Sequence, residues 1–236
     1  MSNDYFRFKK FTVLQAKSAF RVGTDGVLLG AAADLPASGR ILDAGTGTGL
    51  IALMAAQRTS CSITAVEPDR ESFLEAAENF RQSPWSDRLK AEMITLRDFS
   101  GREPPGSFEC LVSNPPFFRA SLKSAVEPVA RARHSEYMSS AELLESAARL
   151  LKPEGTLQVI LPYREGTIFI AEASDFSFYC NRVIKVRPRP GTQPKRLILK
   201  FEREKRPLEE KFITIYSGKG YSGDFISLTR DFYLDF

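Results

Sequence analysis

The chain has 236 residues, is 43% hydrophobic with 18 Phe, and carries a formal net charge of +4. Such a length and apolar content support a sizeable core, and no stretch approaches the ~18 apolar residues of a membrane-spanning helix. The amino terminus lacks the apolar run of a secretory leader, and Cys61, Cys110 and Cys180 form an odd, scattered set that reads as buried thiols in a reducing cytoplasm.

In chain order, Phe6–Gln15 alternates like a small hairpin, and a helix is predicted near Gly26–Ala33. Apolar runs then alternate with helical spacing. Arg40–Asp43, Cys61–Glu67, Leu89–Ile94, Phe108–Ser113 and Thr156–Leu161 are short, apolar on both faces and closed by turn residues, as buried parallel strands are. Leu50–Gln57, Arg70–Arg81 and Ala141–Leu151 have helical periods, the last opened by a capping box of Ser139 and Glu142 and ended by Lys152-Pro-Glu-Gly155. This alternation predicts an α/β fold with a doubly wound, Rossmann-like sheet. After residue 175, Phe178–Val186 and Arg196–Phe201 are joined without a helix and so pair antiparallel at the sheet edge. Phe212–Tyr216 reads as one more strand and Ser222–Tyr233 as a closing helix. With no repeat and no long linker, residues 1–236 are expected to form one domain: an extension over 1–35 and a core over 36–236.

Two motifs carry the chemistry. Asp43-Ala-Gly45-Thr-Gly47-Thr-Gly49 follows a strand and precedes a helix, where glycine permits positive φ and close approach of backbone to a ligand. Its spacing differs from the Gly-x-Gly-x-x-Gly that presents a helix end to pyrophosphate. Asp43 would repel phosphate and attract an ammonium group, and Glu67 ends the next strand, where an acid takes both ribose hydroxyls. These features favour S-adenosylmethionine over a dinucleotide. Asp98 and Phe99, after the third strand, would offer an acceptor to the adenine amino group and a ring face. The alternative is an exposed acid beside a core Phe.

Asn114-Pro115-Pro116-Phe117 closes the fourth strand, on the same sheet edge as the glycine loop. An exocyclic amine is a poor nucleophile because its lone pair is delocalised into the ring. The Asn114 side-chain oxygen and the Pro115 carbonyl would accept its two N–H groups and aim the lone pair. The two prolines keep the turn rigid, so little reorganisation accompanies reaction. Phe117 offers a stacking face, and no metal is required. As a plain turn, the same residues would do none of this.

Charge is unevenly placed. Residues 181–211 hold eleven Lys or Arg against four Glu, a surplus of seven in a chain whose total is +4, so the remainder is net negative. A basic band on such a body suggests a polyanionic partner. Arg187, Arg189, Lys195 and Arg196 cluster on one proline-rich loop and are the first phosphate candidates. Arg131 and Arg133, in the aperiodic stretch 118–139, are the second. His134, the only histidine, is given no proton-transfer role.

The glycine loop, Glu67 and the Asn-Pro-Pro-Phe turn resemble class I methyltransferases that modify amino groups of bases or of glutamine. Phe6-Arg-Phe-Lys-Lys-Phe-Thr-Val13, Arg21-Val-Gly-Thr-Asp-Gly-Val-Leu-Leu-Gly30, Gln82-Ser-Pro-Trp-Ser86 and Asp231-Phe-Tyr-Leu234 extend the likeness nearly end to end. On these segments the chain resembles the bacterial valine-tRNA (adenine-37-N6)-methyltransferase family. The resemblance implies S-adenosylmethionine as cofactor and tRNA as partner, with no membrane and no metal. It also places Val22–Gly26 by the cofactor, with Gly26 among the binding residues and Thr24 and Asp25 beside the methionine part. Phe117 stands where Tyr is common in adenine enzymes. Phe also occurs there in guanine N2 enzymes, so guanine N2 and protein glutamine remain alternative targets.

Overall fold

The computed structural model describes residues 3–18, 21–115 and 138–236. Strands β1 (Tyr5–Arg7) and β2 (Thr12–Leu14) form an antiparallel hairpin, and α1 (Thr24–Ala32) follows. The central sheet then builds from β3 (Arg40–Ala44), β4 (Ser62–Val66), β5 (Leu89–Glu92), β6 (Phe108–Ser113) and β7 (Leu151–Pro162). It is completed by β8 (Tyr179–Arg187), β9 (Arg196–Glu202) and β10 (Glu209–Thr214). Its eight strands run in the order β10-β8-β9-β7-β6-β3-β4-β5.

All neighbours in this sheet are parallel except β9, which lies antiparallel between β7 and β8. The doubly wound sheet expected from the sequence is therefore present. The β8–β9 hairpin is not its edge, because β10 adds a parallel strand outside β8. A short hairpin of β11 (Tyr216–Ser217) and β12 (Gly220–Tyr221) extends beyond β10.

Alternate residues of each strand feed opposite faces. Ile41, Ile63, Cys110, Val112 and Ile198 pack with α1 and α2 (Leu50–Arg58) in one core. Leu42, Leu111, Val159 and Leu199 pack on the other face with α4 (Leu96–Arg102), α5 (Ser140–Leu150) and α6 (Tyr163–Ala173). Helix α3 (Arg70–Arg81) is capped by Asp69, which accepts from Ser72 N at 2.8 Å. Helix α5 is capped as expected, Ser139 Oγ accepting from Glu142 N at 3.1 Å. The closing helix α7 (Gly223–Thr229) is shorter than its apolar pattern suggested, and a turn brings Phe232 N to Thr229 O.

Two helices are additions to the sequence reading. In α4, Thr95 and Asp98 exchange cap hydrogen bonds at 3.1 and 2.8 Å. In α6, Thr167, Ile168 and Ile170 are β-branched and Gly166 is a weak helix former. Packing overrides propensity there: Phe169 and Ala173 are buried, and a Cβ on Gly166 would lie 3.0 Å from Leu197 Cδ1.

Three of the segments that carry the family likeness meet in one aromatic cluster. Phe8 stacks on Phe11 with centroids 4.7 Å apart, Phe11 meets Trp85 edge-on at 5.8 Å, and Phe8 meets Tyr233 at 5.8 Å. Lys9 Nζ donates to the carbonyls of Arg230 and Phe236, each at 2.6 Å. The two ends of the chain are thus fastened together beside the end of α3.

Candidate active site

The chain leaves β3 toward β4 and β5 on one side, while β6 and β7 lie on the other. Ligands in open α/β sheets bind at such a reversal, beyond the carboxyl ends of the strands. Both motifs stand there. Asp43 pairs in register with Val112, which sets Ala44 opposite Ser113 and Gly45 beside Asn114. The Ser113 hydroxyl donates to the Ala44 carbonyl at 2.7 Å and joins the two strand ends directly. Asn114 is part-exposed and Pro115 buried. Pro116, Phe117, Arg131, Arg133 and His134 lie outside the described residues.

The three loop glycines all have positive φ: +72° at Gly45, +56° at Gly47 and +83° at Gly49. Their neighbourhoods differ. A Cβ on Gly49 would lie 2.5 Å from Phe80 Cε1, so that glycine is needed for packing against α3. Among the described residues, a Cβ on Gly45 would meet only Met138 Cε at 3.9 Å, so these residues leave space above the loop at Gly45.

Two acids hold the loop. Glu67 Oε2 accepts from Gly47 N at 2.9 Å, and Oε1 accepts from Asp69 N at 3.0 Å. Each oxygen keeps a lone pair for a further donor. Burial raises the Glu67 pKa above the usual carboxylate range, against the pull of these two N–H groups. Asp43 is fully buried rather than open to solvent. Its Oδ2 accepts from the Thr46 hydroxyl at 2.6 Å and from Ala52 N at 3.2 Å. Its Oδ1 has no partner among the described residues. Burial pushes this carboxyl up to about 7.

Other expected cofactor residues are placed differently. The Phe99 ring is a core residue with no exposed face, 6.0 Å from Phe108 and covered by Arg102. The expectation of a ring against a ligand is corrected accordingly. Asp98 is exposed and serves the α4 cap. Gly26 is buried between helices, where a Cβ would lie 2.9 Å from Leu50 Cδ2, so its place is set by the α1–α2 contact. Thr24 is exposed at the start of α1. Asp25 accepts from Arg196 Nε at 2.7 Å, which brings a residue expected to meet RNA onto one expected to border the cofactor.

The sequence reading missed two residues that fix the approach to the loop. Asn79 is buried and donates to Thr48 O at 2.8 Å and to Leu14 O at 3.0 Å, while accepting from Leu14 N at 2.7 Å. Glu75 accepts from Lys17 N at 3.0 Å and Ser18 N at 2.8 Å. Together they clamp the segment after β2 against the glycine loop. The signal was available: Ser72, Glu75, Ala76 and Asn79 repeat at helical spacing on the buried side of α3, a polar stripe where an apolar one is usual.

The basic loop lies at the same end of the sheet. Strand β8 is antiparallel to β9, as β9 is to β7, so β8 runs with β3 and β6. Arg187, Arg189 and Lys195 accordingly project from the carboxyl edge. Among the described residues, no group of three His, Cys, Asp or Glu is arranged to hold a metal ion, and no helix is long and apolar enough to cross a membrane.

Comparison with known proteins agrees with this architecture. The fold is similar to a predicted O-methyltransferase of Agrobacterium tumefaciens, with a TM-score of 0.69, 18% identity, and coverage of 88% of this chain and 96% of that one. It is also similar to a methyltransferase of Pyrococcus furiosus (0.53, 24%, 75% and 80%). A third likeness is geranyl diphosphate C-methyltransferase of Streptomyces coelicolor, solved with S-adenosyl-L-homocysteine (0.54, 12%, 75% and 77%). These likenesses show the class I methyltransferase fold. The methyltransferase small domain family model matches residues 17–167. The tRNA1(Val) (adenine(37)-N6)-methyltransferase of Bacteroides fragilis is 43% identical over 235 residues, covering 99% of each chain. Its counterpart in Trichodesmium erythraeum is 40% identical over 243 residues, covering 100% of each. The chain belongs to the tRNA1(Val) (adenine(37)-N6)-methyltransferase family.

Proposed function

We propose that this protein methylates the N6 amine of an adenine in tRNA, at position 37 of valine tRNA as its relatives are named for, with S-adenosylmethionine as donor. The observation that carries the reading is the Ser113–Ala44 hydrogen bond, which sets the Asn114 turn beside the Gly45 loop. The two halves of a group transfer then share one strand junction, and proximity supplies much of the rate.

The residues present fit the donor. Among the described residues, Gly45 leaves room that a side chain would fill. The unpartnered Asp43 Oδ1 is a buried acceptor suited to a cationic N–H. Glu67 keeps lone pairs for two ribose hydroxyls, and Thr24 and Asp25 border the methionine part. Gly47 and Gly49 shape the loop, while Gly26 keeps α1 close to it. Asp98 accepts from the adenine amino group of the cofactor. S-adenosylmethionine, when bound, supplies a methyl group on a positively charged sulfur, a good leaving group.

The chain's own work is positioning. The Asn114 side-chain oxygen and the Pro115 carbonyl accept the two N–H groups of the target amine and direct its lone pair. The prolines Pro115 and Pro116 keep these acceptors fixed, so the polar environment is preorganised. Phe117 stacks on the target base. The surplus proton passes to solvent after transfer, which leaves no general base to find. Arg187, Arg189 and Lys195, with Arg131 and Arg133, take RNA phosphates. The extension over 1–35 and the core over 36–236 act as one domain.

The test is incubation of the purified protein with S-adenosylmethionine and a valine tRNA transcript, followed by nucleoside mass spectrometry. N6-methyladenosine at position 37 is expected. N2-methylguanosine would reassign the base, and methylation of a glutamine peptide with none of tRNA would overturn the RNA reading.

A further inference from the structure

The eleven cations of residues 181–211 divide by position. Six pair with carboxylates: Arg182 with Asp34, Lys185 with Glu210, Arg196 with Asp25, Lys200 with Asp34 and Glu202, Arg206 with Glu204, and Lys211 with Glu209. Arg187, Arg189 and Lys195, all at the carboxyl edge, have no carboxylate partner among the described residues. Arg203 and Lys205, past the opposite end of β9, also lack one, Arg203 donating to Ala148 O and lying over Phe178. Three of the five cations without such a partner thus stand at the carboxyl edge.

Two of these cations are held over exposed rings. Beyond β8 and β10 the two chains stay paired, with Ile215 N donating to Arg187 O at 3.0 Å and Tyr216 N to Pro188 O at 2.9 Å. The Arg187 guanidinium lies 5.5 Å from the Phe212 ring centre, and Arg189 lies 5.8 Å from that of Tyr216. Phe212 is 52% exposed. Tyr216 stacks on Tyr221 at 5.3 Å, and Tyr221 stacks on the buried Phe225 at 4.8 Å. A column of three rings thus rises from the core to Arg189, whose Nη1 also donates to Gly218 O at 2.8 Å. An exposed guanidinium fixed from two sides, without a counter-charge among the described residues, is preorganised for an anion.

We propose that Phe212 and the Tyr216–Tyr221 pair, with Arg187 and Arg189, form a docking platform for unpaired nucleotides of the RNA substrate. Bases stack on the rings and phosphates meet the guanidinium groups. The proposal rests on the tRNA reading and adds a second contact region to it. Aromatic faces interleaved with Arg are what single-stranded nucleic acid requires, because every base has a π-face. Strand β10 lies four strand spacings from β6, about 19 Å, within reach of a few splayed loop nucleotides around a base held at Asn114. A second copy of the chain is the poorer occupant: β10 opens with exposed Glu209, Glu210 and Lys211, charges that discourage edge-to-edge pairing.

The test measures Kd for an unstructured oligouridylate by fluorescence anisotropy and KM for valine tRNA, in wild type, Phe212→Ala, Phe212→Tyr and Arg189→Ala. Phe212→Ala and Arg189→Ala should each weaken oligouridylate binding about tenfold and raise KM, with a much smaller effect on kcat. Phe212→Tyr, which keeps a ring face, should behave as wild type. Unchanged Kd and KM in both alanine variants of an enzyme that methylates tRNA would overturn the platform and leave the function standing. Weakened RNA binding in variants of a protein that methylates no tRNA would uphold the platform and defeat the proposed activity. Loss of a dimer in sedimentation, with RNA affinity unchanged, would make this a self-association surface and overturn the proposal.

Discussion

Ser113 Oγ donates to the carbonyl oxygen of Ala44 across 2.7 Å, and both residues are fully buried. Each is the last residue of its strand, one step before Asn114 on β6 and Gly45 on β3. With the β3–β6 ladder, this hydroxyl fixes the spacing between the turn proposed to hold the target amine and the loop proposed to face the donor. Ser113→Ala should lose about 1 kcal/mol of stability, read as a fall of roughly 2–4 °C in Tm. Its kcat/KM on tRNA should fall further, on the order of ten- to a hundredfold, because small misplacements are costly in group transfer. Full activity in a variant with lowered Tm would show that this bond does not set the reacting geometry.

Asn114→Ala should remove the acceptor proposed for the target amine and leave the loop untouched. The expected loss is on the order of 10²–10³ in kcat, by analogy with deleting one oxyanion-hole donor, with S-adenosylmethionine affinity nearly intact. Calorimetry with the donor and single-turnover methylation separate the two quantities. Turnover at the wild-type rate would eliminate the amine-gripping role.

Much of this site was legible because backbone requirements leave marks in sequence. Glycines before α2 and an acid just past β4 each answer a local need, and short strands apolar on both faces announce a covered parallel sheet. Side-chain direction was not legible. Phe99 follows an exposed acid in sequence, yet the α4 turn carries its ring into the core while Asp98 caps the helix. Gly26 and Gly49 look like ligand glycines, but Leu50 and Phe80, distant in the chain or across a helix, occupy the space a Cβ would need. The likeness in Phe6–Val13, Gln82–Ser86 and Asp231–Leu234 marks an aromatic staple between the chain ends rather than chemistry. Helix α6 was hidden for another reason: its β-branched residues speak against a helix, and only burial against β9 decides the matter.

Asp43 gives a pH dependence. Burial pushes its carboxyl up to about 7, so the folded protein retains a proton that the unfolded chain has released above about pH 4. Folding then binds a proton, and this group's contribution to stability is full below about pH 4. It is lost as pH rises through neutrality, at up to about 1.4 kcal/mol per pH unit. Asp43→Asn can accept the Thr46 and Ala52 donors without titrating. The stability of wild type relative to Asp43→Asn, from urea unfolding at several pH values, should therefore decline between pH 5 and 7 and level off above. A constant difference across that range would mean Asp43 is ionised throughout.

The proposed roles divide the basic loop into cations for RNA and one for the cofactor side. Arg187, Arg189 and Lys195 lack carboxylate partners among the described residues, whereas Arg196 is bound to Asp25 at 2.7 Å. Changing the first three to Glu should raise KM for tRNA and lower the slope of log K against log salt by about 2–3, since each phosphate contact releases a counterion. Donor affinity should change little. Arg196→Ala should do the reverse: it strands Asp25 at the start of α1, where Gly26 packs on Leu50 just beyond the glycine loop, so donor Kd should rise severalfold with the salt slope retained. Calorimetry with S-adenosylmethionine and tRNA binding over a salt series read both effects in the same proteins. If Arg196→Ala lowered the salt slope as the other three do, the Asp25 pair would be incidental and Arg196 would belong with the phosphate contacts.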